Sequence, residues 1–149
     1  MKVLIDTNVI LDFFLSREPH FAEAKQVFEM IRNEEIEAFT TAGSITDIYY
    51  VVAKRQGNNF AGDAIMRLLG VIGIITVSGE DCVEALDLPL DDFEDSLVTV
   101  CADKEKVNII ISNDKKFIQT NPNLAVVISA ATFINRQQQQ SAKPIKYKT

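Results

Sequence analysis

The chain has 149 residues, 47% of them hydrophobic and 24% charged, with 6 Gly and 4 Pro. That length and mixture fit one soluble domain able to bury its own core, and they exclude a disordered or collagenous chain. Lys and Arg number 15 against 21 Asp and Glu, a formal charge of −6. This excludes a protein whose main work is coating a nucleic-acid backbone, but not one that handles nucleic acid at a single cation-charged cleft.

In chain order, Val3-Leu4-Ile5 is a short apolar run ending at an aspartate and reads as a buried strand. After an apolar stretch from Val9 to Leu15, Pro19 opens a helical pattern. Phe21, Ala24, Val27, Phe28 and Ile31 then recur at three and four residues, forming an amphipathic stripe. Ile36 to Phe39 reads as a second strand. Thr40 to Ser44 supplies helix caps, and Ile45, Ile48, Tyr49 and Val52 form the stripe of the helix that follows, ended by Gly57. Ala61 to Leu69 is another helix, and Gly70 to Gly79, rich in β-branched residues, is compatible with a covered parallel strand.

Glu80 to Leu88 reads as a short helix broken by Pro89, and Asp91 or Asp92 caps the next, whose apolar face is Leu97, Val98 and Cys101. Val107 to Ser112 is the clearest strand, Leu124 to Ile128 another, and residues 130–139 form a last helix anchored by Phe133 and Ile134. Strands alternating with helical patterns predict an α/β fold with a mostly parallel sheet. The domain is expected over residues 1–136, with 137–149 a Gln- and Lys-rich tail, frayed or serving as a basic strip for a polyanion or partner.

Cys82 and Cys101 sit in no CxxC or CxxH arrangement, and His20 is the single histidine. Structural zinc of the usual kind is therefore excluded, and the cysteines read as buried core residues in a reducing compartment. His20 reads as a surface or capping residue. Asp6 and Asp12 interrupt any leader-like apolar start, and the longest uncharged run, Phe117 to Asn135, is too polar to span a membrane. The expected location is cytoplasmic.

The candidate chemistry lies in the carboxylates. Ligands of an open α/β sheet gather beyond the carboxyl ends of its strands. Asp6 follows the first strand, and Asn113 and Asp114 follow the strand ending at Ser112, so parallel neighbours would open both onto one edge. Asp47 lies off the stripe of its helix, while Asp92 and Asp95, three apart, share a face. Like charges held close repel and raise one another's pKa, so the cluster calls for a cation. A hard divalent ion, Mg²⁺ or Mn²⁺, suits an all-oxygen set.

Thr7, Asn8 and Thr46 are polar neighbours able to orient a carboxylate. Against this, Asp12, Asp47 and Asp92 also suit simple helix capping. The base-free run of acids from Glu80 to Asp95 also reads as a solvated face.

The motifs resemble those of the PIN-domain family, which includes the VapC-type toxins of toxin–antitoxin pairs. Leu4-Ile5-Asp6-Thr7-Asn8-Val9-Ile10-Leu11-Asp12 resembles the first motif, Ser44-Ile45-Thr46-Asp47 the second, where glutamate is commoner, and Asp92-Phe93-Glu94-Asp95-Ser96-Leu97 the third. Ile111-Ser112-Asn113-Asp114-Lys115-Lys116-Phe117 resembles the fourth, with Lys116 where the family commonly has another aspartate. Over residues 2–135 the resemblance implies a PIN-like three-layer α/β/α sandwich and metal-dependent hydrolysis of RNA phosphodiesters.

By the same resemblance, Asp6, Asp47, Asp95 and Asp114 are implied as catalytic metal ligands for Mg²⁺ or Mn²⁺. The resemblance implies Asn8 as a support and Asp12 near the site, and polarity and position add Thr7, Thr46, Asp92 and Asn113 as supports. A small antitoxin protein presenting an arginine, and a homodimer with Ile48, Tyr49 and Tyr50 as candidate contacts, are implied partners. RNA would be gripped locally, at Lys54, Arg55, Lys115, Lys116 and the tail lysines.

Two other acid-after-strand enzymes fit less well. A phosphatase of the haloacid-dehalogenase type needs an aspartate where this chain has Asn8, and a receiver domain needs a late lysine pairing that is not evident. The non-enzymatic rival is a PIN-like scaffold that binds nucleic acid or protein without cleaving.

Overall fold

The computed structural model describes residues 1–120 and 124–143. Five strands, β1 (Lys2–Ile5), β2 (Glu37–Thr41), β3 (Gly73–Ile75), β4 (Ile109–Ile111) and β5 (Val126–Ile128), form one sheet in the order β3-β2-β1-β4-β5. Every neighbouring pair is parallel. Eight helices connect and flank them: α1 (Thr7–Phe14), α2 (Phe21–Arg32), α3 (Ala42–Gln56), α4 (Asn58–Leu69), α5 (Gly79–Asp87), α6 (Phe93–Lys104), α7 (Lys115–Gln119) and α8 (Ala130–Ser141). Among the described residues, no helix is long and apolar enough to cross a membrane.

The three layers follow from the two-residue period of the strands. Val3 and Ile5 enter a core shared with Val9, Val27, Ile48 and Phe133 of the helices on one face, while Leu4 enters the core of Val98, Cys101 and Phe117 on the other. The same split recurs at Ile111 against Ile110 and at Ile128 against Val127. Such strands are covered on both sides, so even short ones hold their place. Each fully buried Ile or Leu stabilises by about 1.5–3 kcal/mol.

Most expected elements are present, with informative differences. The expected strand over Gly70–Gly79 shortens to Gly73–Ile75 because both ends of the run serve the neighbouring helices. Gly70 and Val71 complete the turn after α4, and Ser78 caps α5 through a capping box with Asp81. Gly73 is required by a close approach, since a Cβ there would stand 2.7 Å from the Phe39 ring. The cap of α3 is Thr41, whose Oγ1 accepts from the Ser44 N–H at 3.2 Å.

Helix α7 was not expected from the sequence, its five residues being too few to show a period. Helix α8 runs through the glutamines to Ser141, past the expected end at 139, and tail residues 144–149 lie outside the described residues. Cys101 is buried, Cys82 is half-buried beside the Asp81 face of α5, and both are free thiols. His20 is exposed and makes no capping hydrogen bond. Ile48 is core and cannot contact a second copy, whereas Tyr50 is 68% exposed.

Candidate metal centre

The order β3-β2-β1-β4-β5 reverses direction about β1, and the chain leaves β1 and β4 on the same edge. This is where an open parallel sheet offers a crevice. Ile5 pairs with Ile111, and the Asp6 N–H donates to the Ile111 carbonyl at 2.9 Å. The next residue of each strand, Asp6 and Ser112, therefore meets the other directly. Ser112 Oγ donates to Asp6 Oδ2 at 2.7 Å, and the Asn8 side-chain amide donates to the same oxygen at 3.1 Å. Asp6 Oδ1 accepts from the Thr7 N–H at 2.9 Å, which also makes Asp6 the N-cap of α1.

Asp6 is 7% exposed, and burial raises its pKa above the usual carboxylate value. The hydrogen bonds from Ser112, Thr7 and Asn8 oppose that shift, and the charge of Asp114 adds to it. Asp114 follows Ser112 by two residues, caps α7 by accepting from the Lys116 N–H at 2.9 Å, and donates its own N–H to Ser112 Oγ at 3.1 Å. One buried hydroxyl thus ties both aspartates to the strand ends.

Helix α6 supplies the opposite side. Asp92 is its N-cap, accepting from the Asp95 N–H at 3.0 Å, so Asp95 stands in the first turn. Burial first, then the charges of Asp92, Asp6, Asp114 and Glu94, push the Asp95 carboxyl up to about 7. Glu94 is raised as well, by burial and then by Asp47, Asp6 and Asp92. Asp47, exposed in the second turn of α3, and Glu94 share a cavity of about 390 Å³ with Thr41, Ser44, Val77 and Leu97. Thr46 is exposed beside them.

Asp6, Asp114 and Glu94 therefore act electrostatically on Asp95 across the carboxyl edge, while Asp47 reaches the group through Glu94. None forms an ion pair among the described residues, where the two pairs present are Asp12–Arg17 and Asp81–Lys104. Asp12 neither caps a helix nor stands free. It is interior to α1, 5% exposed and bound by Arg17.

The residues suit a hard cation in their chemistry. All the donors are oxygen, their charges repel, and the hydroxyls of Thr7 and Ser96, next in sequence to Asp6 and Asp95, are buried without a hydrogen-bond partner. The side chains are spread rather than closed: among the described residues, no three His, Cys, Asp or Glu side chains converge as a ready ligand set.

Two contributors went unassigned in the sequence. Glu94 was hidden in the base-free acidic run, and Ser112 looked like an ordinary strand end. The expected basic residues divide. Lys115 and Lys116 are exposed beside Asp114, but Lys54 and Arg55 occupy the last turn of α3. They lie about 10–12 Å along the helix from Asp47, toward the other edge of the sheet.

The PIN domain family model matches residues 2–116, a span that contains all five of these acids. The chain belongs to the PIN-domain family. Among PIN-related proteins it is 30% identical over 131 residues to Ribonuclease VapC1 of Aquifex aeolicus (strain VF5), covering 85% of this chain and 89% of that one. Its fold is similar to that in the crystal structure of VapBC2 from Rickettsia felis bound to a DNA fragment from their promoter. That match has TM-score 0.66 and 17% identity, over 87% of this chain and 98% of the other. It is also similar to VapC20 of Mycobacterium tuberculosis, a Sarcin-Ricin loop cleaving toxin, with TM-score 0.63 and 16% identity over 77% and 92%. The PIN domain accounts for the all-parallel sheet.

Proposed function

We propose that this protein is a divalent-cation-dependent endoribonuclease acting at the carboxylate edge, and the toxin of a toxin–antitoxin pair. The observation that carries the reading is the Asp95 carboxyl, pushed up to about 7 by burial and by four neighbouring acids while no lysine or arginine among the described residues pairs with it. A fold gains nothing from such repulsion. A site that takes up positive charge does. PIN-family membership and the ribonuclease named among the relatives support the class of reaction.

Asp6, Asp47, Asp95 and Asp114 would hold Mg²⁺ or Mn²⁺, with Glu94 beside them. When bound, the ion supplies charge to the phosphoryl oxygens and acidifies water. The protein's own groups do the rest. Ser112, Asn8 and the Thr7 N–H fix both oxygens of Asp6. Asp92 seats the first turn of α6 that carries Asp95. Lys115 and Lys116 offer positive charge to the RNA backbone on an otherwise acidic rim. Asp95, its carboxyl pushed up to about 7 by burial and neighbouring acids, would release its proton on holding a cation.

A small antitoxin would bind the same rim by presenting an arginine, whose planar fork matches a carboxylate. Exposed Tyr50 on α3 is the surviving candidate contact for a second copy.

The deciding experiment incubates purified protein with structured RNA, single-stranded RNA and DNA in Mn²⁺ or Mg²⁺, beside EDTA and a folded Asp6→Asn variant. Cleavage of RNA lost with chelator and with the variant is expected. No cleavage, together with no divalent-ion binding by calorimetry, would leave the non-cleaving scaffold.

A further inference from the structure

Behind the acidic rim lies a second polar assembly, built on a neutralised carboxylate. Ser16 adopts a left-handed conformation, φ 49°, which turns the chain back over the end of α1. Arg17 thereby donates its backbone N–H to the Asp12 carbonyl at 3.0 Å and its Nε to Asp12 Oδ1 at 2.9 Å. Its Nη2 donates to the Asn8 carbonyl at 3.2 Å. The other carboxylate oxygen, Asp12 Oδ2, accepts from Asn113 Nδ2 at 3.2 Å.

Asn113 is held at its remaining polar groups as well. Its N–H donates to Asn8 Oδ1 at 3.0 Å, and its side-chain oxygen accepts from the Ala130 N–H of α8 at 3.3 Å. Asn8 in turn donates to Asp6 Oδ2. An unbroken path thus runs from Arg17 through Asp12 and Asn113 to the loop that carries Asp114, and through Asn8 to Asp6.

We infer that Arg17 is a positioning residue: by pinning Asp12 it fixes Asn113, and so sets the β4–α7 loop with Asp114 against Asp6. The guanidinium does two things there that a neutral residue cannot. It cancels the charge of an aspartate that is 5% exposed, and it leaves that aspartate's second oxygen directed at Asn113. Without it, Asp12 would be one more uncompensated acid behind a rim already crowded with them, and its hold on Asn113 would weaken.

The functional consequence rests on the nuclease reading above, whereas the geometric one does not, and the test separates them. Hydrogen exchange is followed residue by residue on the full chain without added metal, in wild type, Arg17→Ala, Arg17→Lys and Lys104→Ala. The last variant cuts the other ion pair, between α6 and α5, as a control. In Arg17→Ala the Asn113 and Asp114 amides should exchange at least about tenfold faster than in wild type, while core amides of β1 and β4 hold. Arg17→Lys, which keeps the charge but not the fork, should fall between, and Lys104→Ala should leave the two amides unchanged. Wild-type protection of Asn113 and Asp114 in Arg17→Ala, or equal acceleration of every amide, would overturn the inference.

On RNA with Mn²⁺, Arg17→Ala should lower kcat by about tenfold to a hundredfold with KM held within about twofold. A raised KM with unchanged kcat would make Arg17 a substrate contact and overturn the positioning role. A wild type that neither cleaves nor binds Mn²⁺ would remove the nuclease reading alone, with exchange still deciding the clamp.

Discussion

Ser112 Oγ and Asp6 Oδ2 meet at 2.7 Å across the ends of two neighbouring parallel strands, and the same hydroxyl accepts from the Asp114 N–H at 3.1 Å. Ser112→Ala removes a donor to a buried carboxylate and strands a backbone N–H. It is expected to cost about 1–3 kcal/mol, measured by urea denaturation. It should also raise the Asp6 pKa further, because the Ser112 hydrogen bond is the largest effect holding it down. RNA cleavage should fall by about tenfold to a hundredfold, the usual effect of losing a ligand's orienting partner.

Asp6→Asn separates chemistry from folding. Asparagine is as good an N-cap as aspartate and removes the charge whose burial is unfavourable. Without metal, relief of the buried charge should offset the loss of one oxygen as acceptor for Ser112 and Asn8, and the variant should stay folded in a thermal scan with EDTA. Its cleavage should drop by at least about a hundredfold. A melting temperature well below wild type would show that the carboxylate is needed for structure.

The sign of the pH dependence follows from Asp95. Its folded-state pKa, about 7, lies above its ordinary 3.8, so between those values the folded protein binds more protons than the unfolded chain. Stability of the metal-free protein should therefore decline as pH rises from about 4 to about 7, then level off. Asp6 and Glu94, both raised, act in the same direction. Asp81, lowered by Lys104, acts oppositely and at more acid pH, its stability being lost as pH falls. Thermal midpoints across this range in EDTA should show the decline, Asp95→Asn should flatten it, and Mn²⁺ should raise the midpoint more at pH 7.5 than at pH 5.

Gly73→Ala places a methyl 2.7 Å from the Phe39 ring, over which the Lys2 ammonium sits at 5.8 Å. Displacing that ring should cost about 1–3 kcal/mol by chemical denaturation. A second substitution, Phe39→Leu, should restore part of the loss. Since Gly73 begins its strand, at the edge opposite the acids, cleavage per folded molecule should be unchanged.

The legible parts of this chain were those with a local signature. Val3-Leu4-Ile5 before Asp6, and the isoleucines before Ser112, announced two strands. Their parallel pairing then brought Asp6 and Asp114 to one edge, as the placement of acids after strands implied. Asp92 as a cap was equally plain. What stayed hidden depends on contacts far apart in sequence. Nothing in the sequence marked Arg17, because its partners are the side chain of Asp12 and the carbonyl of Asn8, reached through a left-handed turn that composition does not announce. Glu94 is exposed, as the acidic run implied, but its tie to the site was hidden because its neighbour Asp47 comes from another helix. The shortness of β3 came from the turn after α4 and the Ser78 cap of α5, which claim the two ends of the run.

The bond between Ser112 and Asp6 spans 106 residues of sequence. During synthesis Asp6 emerges long before the hydroxyl that seats it, so no fragment ending ahead of Ser112 can complete this side of the rim, which is assembled only when β4 is laid beside β1.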